Sequence, residues 1–394
     1  MSRAETDQKP AISPLHDPRW RGFAYQFLLC VVIAALAYSA IDNAVQNLQK
    51  ARIASGFDFW NHTAGFDISQ TLIDYSTAST YGRAFWVGLL NTLLVAGLGI
   101  VFATILGFLV GIARLSGNVL VSKLGGAYVE IVRNLPLLLQ LLFWYNAVLK
   151  ALPELSDSLI LPGGTFLNNR GLFMPRPIAG DWLWLVPVMF VVGLIGAVVF
   201  RQWAKRRQEA TGRQAPVATI AVLLMLGLPL AAFLLSGMPV EFAFPEKGRF
   251  NIRGGIEILP EFMALLFGLS IYTAAFIAEA VRAGILAVSY GQTEAAYSLG
   301  LRPAQTLRRV VIPQAMRVIV PPLTNQYLNL TKNSTLAVAI GYPDLVQIFA
   351  GTVLNQTGQA VEVIAITMAV YLTISLVTSL LMNIYNARIA AVER

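Results

Sequence analysis

The stretch GQTEAAYSLGLRPAQTLRRVVIPQA, residues 291–315, lies between two long apolar runs yet carries a glutamate, three arginines and the helix-breaking sequence Gly-Leu-Arg-Pro. The apolar helix before it runs out through AVRAGILAVSYG, and Gly291 predicts its end. QTEAAYSL then holds good helix formers, with Thr293 placed to cap them, and Gly300 predicts a C-terminal stop. Pro303 suits the first turn of a further helix. The stretch therefore reads as helix, sharp turn, helix, with Arg302, Arg308 and Arg309 beside it. It has no nucleophile and base pair and no glycine-rich phosphate loop, so its shape and charge suit docking rather than catalysis.

Outward from this segment the chain is a membrane protein by composition. Of its 394 residues 56% are apolar and only 13% charged, and the mean hydropathy is +0.63. A hydrocarbon core about 30 Å thick takes about 20 helical residues to cross. Residues 23–41, 86–113, 182–200, 216–236, 262–278 and 363–387 qualify and contain no Asp, Glu, Lys or Arg. NLPLLLQLLFWYNAVL after Arg133 and VIVPPLTNQYLNLT after Arg317 add two less uniform spans, for an expected eight. Segments 1–22, 114–133, 201–214, 279–317 and 388–394 hold 19 of the 29 Lys and Arg. Basic residues mark cytoplasmic loops, so both termini are expected in the cytoplasm. The aromatic-rich segment 43–85 is expected to lie at the outer interface, and the Pro-, Gly- and Asn-rich residues 150–181 to form an outer loop.

Several function classes are excluded. The net charge of +8 is accounted for by basic residues at helix ends and in loops, so no nucleic acid is needed to explain it. Cys30 is the only cysteine, which rules out an intrachain disulfide and a cysteine zinc site; His16 and His62 are too few for a histidine cluster. No metal site is expected. The run from Phe23 could end in a signal cleavage after residues 35–37, but the long preceding segment with Glu5, Asp7 and Asp17 favours an uncleaved anchor.

Polar side chains within spans are costly and mark a bundle interior or a wet path. Here they gather at Asn91, Gln140, Asn325, Asn329, Lys332 and Asn333, the candidates for contact with substrate. Asn325, Asn329 and Asn333 recur at i, i+4 and i+8, on one helical stripe. Amides can serve both ends of an amino acid, though they can equally bridge helices. EIVR at 130–133 and EAVR at 279–282 each set Glu three residues before Arg, a spacing that allows pairing along one helix.

The spacing Glu294-Ala295-Ala296, three residues, Gly300, nine residues, then Val310, Ile312 and Pro313 resembles the EAA loop of ABC importer permeases. YVEIVRNLPLLLQLLFWY from Tyr128, FIAEAVRAGILAVSYGQTEAA from Phe276 and LTKNSTLAVAIGYPDL from Leu330 resemble the polar amino-acid branch, of the enlarged general L-amino-acid or glutamate/glutamine type. The resemblance implies an all-α membrane fold: a five-helix type I permease core over about 85–150 and 260–387, with an N-terminal helix and an inserted helix pair. The expected layout is a tail at 1–22, an accessory helix and outer amphipathic segment at 23–84, and the first core part at 85–150. Outer loops and the inserted pair follow at 151–259, then the second core part at 260–387 with its coupling loop at 289–315, and a tail at 388–394.

The resemblance further implies that Glu294, Ala295, Ala296, Gly300, Arg302 and Pro313 couple the chain to a separate ABC ATPase dimer, which would bind ATP and Mg. Agreeing with this, the chain has no G-x-x-x-x-G-K-[ST] loop. Other implied partners are a second permease subunit, homologous or identical, a periplasmic amino-acid-binding protein and the lipid of the bacterial inner membrane. The alternative is an ATP-independent secondary transporter or channel. That reading would call for acidic residues in mid-span, whereas Glu130, Glu279 and Glu294 lie at or beyond the expected boundary.

Overall fold

The computed structural model describes residues 18–50, 56–237, 240–248 and 251–390. Most of the expected tails at 1–22 and 388–394 lies outside these residues, as do Glu5, Asp7, His16 and Asp17. Two compact units divide the chain. One takes in Met1–Gly88 and Leu345–Thr373, the other Leu89–Asp344 and Ile374–Arg394.

The elements in chain order begin with helices α1 (Pro18–Lys50), α2 (Tyr81–Ala113), α3 (Val119–Asn134) and α4 (Leu137–Leu142), the last extended by a π-helical stretch, Phe143–Leu149. Strands β1 (Leu159–Leu161), β2 (Thr165–Asn168), β3 (Gly171–Met174) and β4 (Arg176–Ala179) follow. Next come α5 (Leu185–Thr211), then α6 (Val217–Val222) and α7 (Leu228–Leu235), joined through a π turn. Strands β5 (Val240–Ala243), β6 (Glu246–Lys247), β7 (Ile252–Arg253) and β8 (Ile256–Ile258) lead into α8 (Pro260–Leu286). The chain continues with α9 (Tyr290–Ser298), α10 (Pro303–Thr306) and α11 (Ile312–Asn333), and ends with α12 (Leu354–Thr357) and α13 (Ala360–Ala390).

Six described helices are long and apolar enough to span a membrane, and a seventh span arises if α3 and α4 with its π extension, bent by 105°, count as one. The expected eighth, α11, has the length but not the composition, because Asn, Gln, Thr and Lys interrupt its apolar residues. The protein is mostly helical, but the all-α expectation needs correction. Residues 150–181 and the segment before α8 form short antiparallel strands, in a four-stranded sheet β1-β2-β3-β8 and the pairs β4-β5 and β6-β7. Gly163 and Gly164, at φ 80° and 71°, make the turn between β1 and β2 that only glycine adopts at little cost. Strands of two to four residues are too short to show a period of two, which is why this region reads as loop.

In the larger unit α8 is the central helix, with 67% of its most apolar window buried. A helix that is apolar all round belongs in a core. Small residues allow its neighbours to approach. Gly107 and Gly111 of α2 form a G-x-x-x-G ridge that lies directly on Ala274, Ile277, Ala278 and Val281 of α8. Gly268 and Gly284 of α8 in turn receive Leu141 of α4 and Ile319 of α11. The Tyr128 hydroxyl of α3 donates to the Ile271 carbonyl at 2.6 Å, and Thr104 of α2 meets Tyr327 of α11 at 2.9 Å. The inserted pair packs on itself, Gly193 of α5 lying against the Leu224 carbonyl.

In the smaller unit α1 presents Phe23, Phe27, Leu28, Ile33 and Leu36 all exposed, as expected of a helix surrounded by lipid. The segment from Phe57 to Phe85 is less superficial than its aromatic content suggests. Phe59 is 2% exposed and, with Trp60 and Phe85, packs its ring against Phe349. The Tyr81 hydroxyl is bonded to Gln356 at 2.9 Å, and the Gly56 N–H donates to Glu362 at 2.6 Å. These rings fill a core of their own.

Candidate functional site

Between α8 and α11 the chain builds the feature anticipated from residues 291–315. The apolar helix ends at Leu286, and the short helix α9 already starts at Tyr290, so Gly291 lies inside its first turn and Ser289, not Thr293, holds the N-cap position. The stop is where it was expected. Gly300 adopts φ 76°, its N–H bonds the Tyr297 carbonyl at 2.9 Å, and the Leu301 N–H reaches back to Ala296 at 3.1 Å. This is the left-handed glycine cap that closes a helix. Arg302 sits at the N-cap of α10, and its N–H donates to Gln305 Oε1 at 3.1 Å. The helix restarts at Pro303, because α10, a π-helical turn (Leu307–Val311) and α11 follow one another without a break. Pro313 lies beside that π turn within the continuing helix, where local π geometry accommodates a missing N–H.

The coupling candidates divide by exposure. Ala296, 3% exposed, is the buried residue of α9, and α9 packs against α10 and the π-helical turn Leu307–Val311 that follows it. Glu294, Ala295, Gly300, Arg302 and Pro313 face outward. Three residues missed from sequence stand with them: Tyr290, Tyr297 and Leu299 are 72%, 47% and 82% exposed. Large side chains displayed on a polar connecting segment are candidates for an interaction surface. Their signal was present in the sequence, as two aromatics and a leucine that no helix face explains.

The substrate candidates also separate. Asn91 is fully buried, donating to the Pro343 carbonyl at 2.8 Å. Gln140 is buried at the bend between α3 and α4, where it donates to Val132 and Leu135 carbonyls at 2.9 and 3.0 Å. Both amides thus hold helices in place. Asn325, Asn329 and Lys332, by contrast, are exposed on α11 and Asn333 is half-buried. With Val318 and Pro321 they trace one stripe at i+3 and i+4 spacing, opposite the buried Ile319, Leu323 and Leu330. An amide stripe left facing lipid would be costly, so this face suits water or another protein.

At the other end of α8 the Tyr145 hydroxyl donates to Glu261 at 2.6 Å. Nearby, on β8, partial desolvation holds the Glu257 carboxyl above its ordinary range; Arg170 works against this and Glu261 adds to it. Among the described residues no group of His, Cys, Asp and Glu is placed to hold a metal ion.

Residues 99–391 match the family of binding-protein-dependent transport system inner membrane components. The chain is 50% identical over 382 residues to the general L-amino acid transport system permease protein AapQ of Rhizobium johnstonii, covering 97% of this chain and 95% of that one. It is 52% identical to the putative amino-acid ABC transporter permease protein YhdX of Escherichia coli, over the full length of both. To the glutamate/glutamine/aspartate/asparagine transport system permease protein BztB of Rhodobacter capsulatus it is 42% identical, covering 96% of each. With a family match spanning most of its length and relatives alike from end to end, the chain belongs to the binding-protein-dependent transport system inner membrane components, the multi-pass permease subunits of ABC transporters.

Proposed function

We propose that this chain is one of two membrane-spanning subunits of an ABC importer that carries polar L-amino acids into the bacterial cytoplasm. A separate ATPase dimer, holding ATP and Mg, powers it through α9. The observation that carries this reading is α9 itself: a short helix anchored by Ala296, closed by Gly300 in the left-handed conformation, and displaying Tyr290, Glu294, Tyr297 and Leu299. A rigid element of this kind can transmit the approach of two ATPase subunits to α8 and α11, between which it is strung. The names of the full-length relatives support the choice of cargo.

In this reading α11 counts as the eighth span, both termini are cytoplasmic, and residues 85–150 and 260–387 form the five-helix core. The stripe of Asn325, Asn329 and Lys332 then faces a homologous but different permease across the path. An amino-acid-binding protein delivers cargo to the periplasmic side, where the small sheets lie.

The test is to reconstitute the chain with its candidate ATPase and second permease in liposomes and to compare Glu294→Lys and Gly300→Val with the unaltered chain. Gly300 has open space around it, so the valine adds only backbone strain of about 1–2 kcal/mol and redirects α9 without disturbing the bundle. Both variants are expected to lose uptake while the ATPase still binds nucleotide. Uptake by the chain alone, driven by an ion gradient, would overturn the proposal in favour of a secondary transporter.

A further inference from the structure

The two similar motifs EIVR and EAVR do not each close an internal pair of the same kind. Glu279 is bonded to Arg282 on its own helix at 2.8 Å through Oε1, as the spacing suggested. Its other oxygen, Oε2, is bonded directly to Arg114, which follows the last residue of α2. The ion pair of Arg133 is also with this oxygen, at 3.9 Å, and the Arg133 guanidinium lies over the Phe276 ring 5.0 Å from its centre. One carboxylate on α8 therefore faces arginines from α2 and α3. The two are held unequally: the Arg114 side chain is 15% exposed and in contact, whereas that of Arg133 is 41% exposed and a little beyond hydrogen-bonding range. A cavity of about 360 Å³ beside them, also lined by Glu130 and Asn134, leaves room for Arg133 to move.

The position of this cluster matters as much as its composition. Glu279 lies about two turns before the end of α8, and only Ala287, Val288 and Ser289 separate α8 from α9. Arg133 stands at the end of α3, immediately before the 105° bend that Gln140 holds together. Any displacement of α9 that α8 follows must shift the carboxylate against both arginines. Packed contacts of this kind switch between discrete arrangements rather than deform smoothly.

We propose that Glu279 is a positioning residue for transport, passing the movement of α9 to the rest of the unit by exchanging its carboxylate between Arg114 and Arg133. Arg282 travels with it and keeps the charge compensated throughout. Contact with Arg114 ties α8 to α2; contact with Arg133 ties it to the bent α3–α4 pair. This proposal rests on the reading of α9 as the ATPase dock. A merely structural clasp would depend on the close Arg114 pair and be indifferent to the loose Arg133 pair.

The experiment uses the reconstituted complex with Arg133→Gln, Arg133→Lys, Arg114→Gln and Glu294→Lys compared in parallel. Arg133→Gln is expected to lower uptake by about tenfold, inside the roughly 5–150-fold range usual for coupling between sites. Its thermal midpoint and its ATP hydrolysis without cargo should stay as in the unaltered complex, and Arg133→Lys should recover most of the uptake. Unchanged uptake in Arg133→Gln, or a loss of uptake accompanied by a fall in thermal midpoint like that of Arg114→Gln, would overturn the exchange. Glu294→Lys separates the two proposals. If it uncouples transport while Arg133→Gln does not, the exchange fails and the dock stands; if it leaves coupling intact, the dock itself fails.

Discussion

The side-chain amide of Asn91 donates a 2.8 Å hydrogen bond to the carbonyl of Pro343, tying α2 to the turn beyond α11 at a point with no solvent access. Asn91→Leu removes the donor and leaves a buried carbonyl short of a partner, at a cost of about 1–3 kcal/mol. The expected result is a lower thermal midpoint in detergent, with uptake per folded complex preserved. A normal midpoint together with altered cargo preference would instead place Asn91 in the transport path.

The G-x-x-x-G ridge of α2 sets how closely that helix lies on α8. A Cβ at Gly111 would stand 2.8 Å from Val281 Cβ and 2.9 Å from the Ala278 carbonyl, so the helices must part. Gly111→Val is expected to destabilise the bundle by about 1–3 kcal/mol through overpacking. Gly97, ten residues or more from this ridge on the same helix, has nothing within 4 Å of its added Cβ. Gly97→Ala should leave the midpoint in the same melting experiment unlowered or slightly raised, by the helix propensity of alanine.

Asn329 lies in the exposed polar stripe of α11, where a leucine meets no steric obstacle from this chain. Asn329→Leu should leave the fold intact and reduce uptake by the assembled transporter. If uptake falls only because the second permease no longer co-purifies, the stripe serves as a subunit contact and not as a path.

Glu257 binds its proton more tightly in the folded protein than the ordinary value of 4.5 implies. The folded chain thus holds this stabilising contribution in full below about that pH. It loses the contribution as pH rises from there through the raised folded value, because the unfolded chain ionises first. Glu257→Gln should flatten this part of the stability profile and raise the midpoint at neutral pH. A lower neutral midpoint in the variant would show that the attraction to Arg170 outweighs desolvation.

The connecting segment around residues 291–315 was the most legible part of the sequence. Gly300 and Pro303 act through backbone preferences that need no distant neighbour, so the closing turn and the restart of the helix at α10 could be placed from local chemistry alone. The start of α9 was misplaced because Gly291 is tolerated within a first helical turn, which makes a glycine an ambiguous stop. The long apolar runs were legible for a similar reason: a run of about 20 apolar residues is itself the physical requirement for crossing lipid.

What only the tertiary structure decided was direction and partner. Six polar residues in spans looked alike in sequence; packing turned Asn91 and Gln140 inward to backbone carbonyls and left Asn325 and Asn329 outward. Arg133 had a carboxylate at the right spacing on its own helix, yet its ion pair is with Glu279, 146 positions away, since α3 lies on α8. The sheet β1-β2-β3-β8 likewise joins residues 159–174 to 256–258 across the inserted helix pair. Sequence alone determined which six runs are long and apolar enough to enter lipid and where α9 closes, because those follow from a residue and its immediate neighbours. Which face of each helix is buried depends on elements brought together from far along the chain, and so was settled only when they packed.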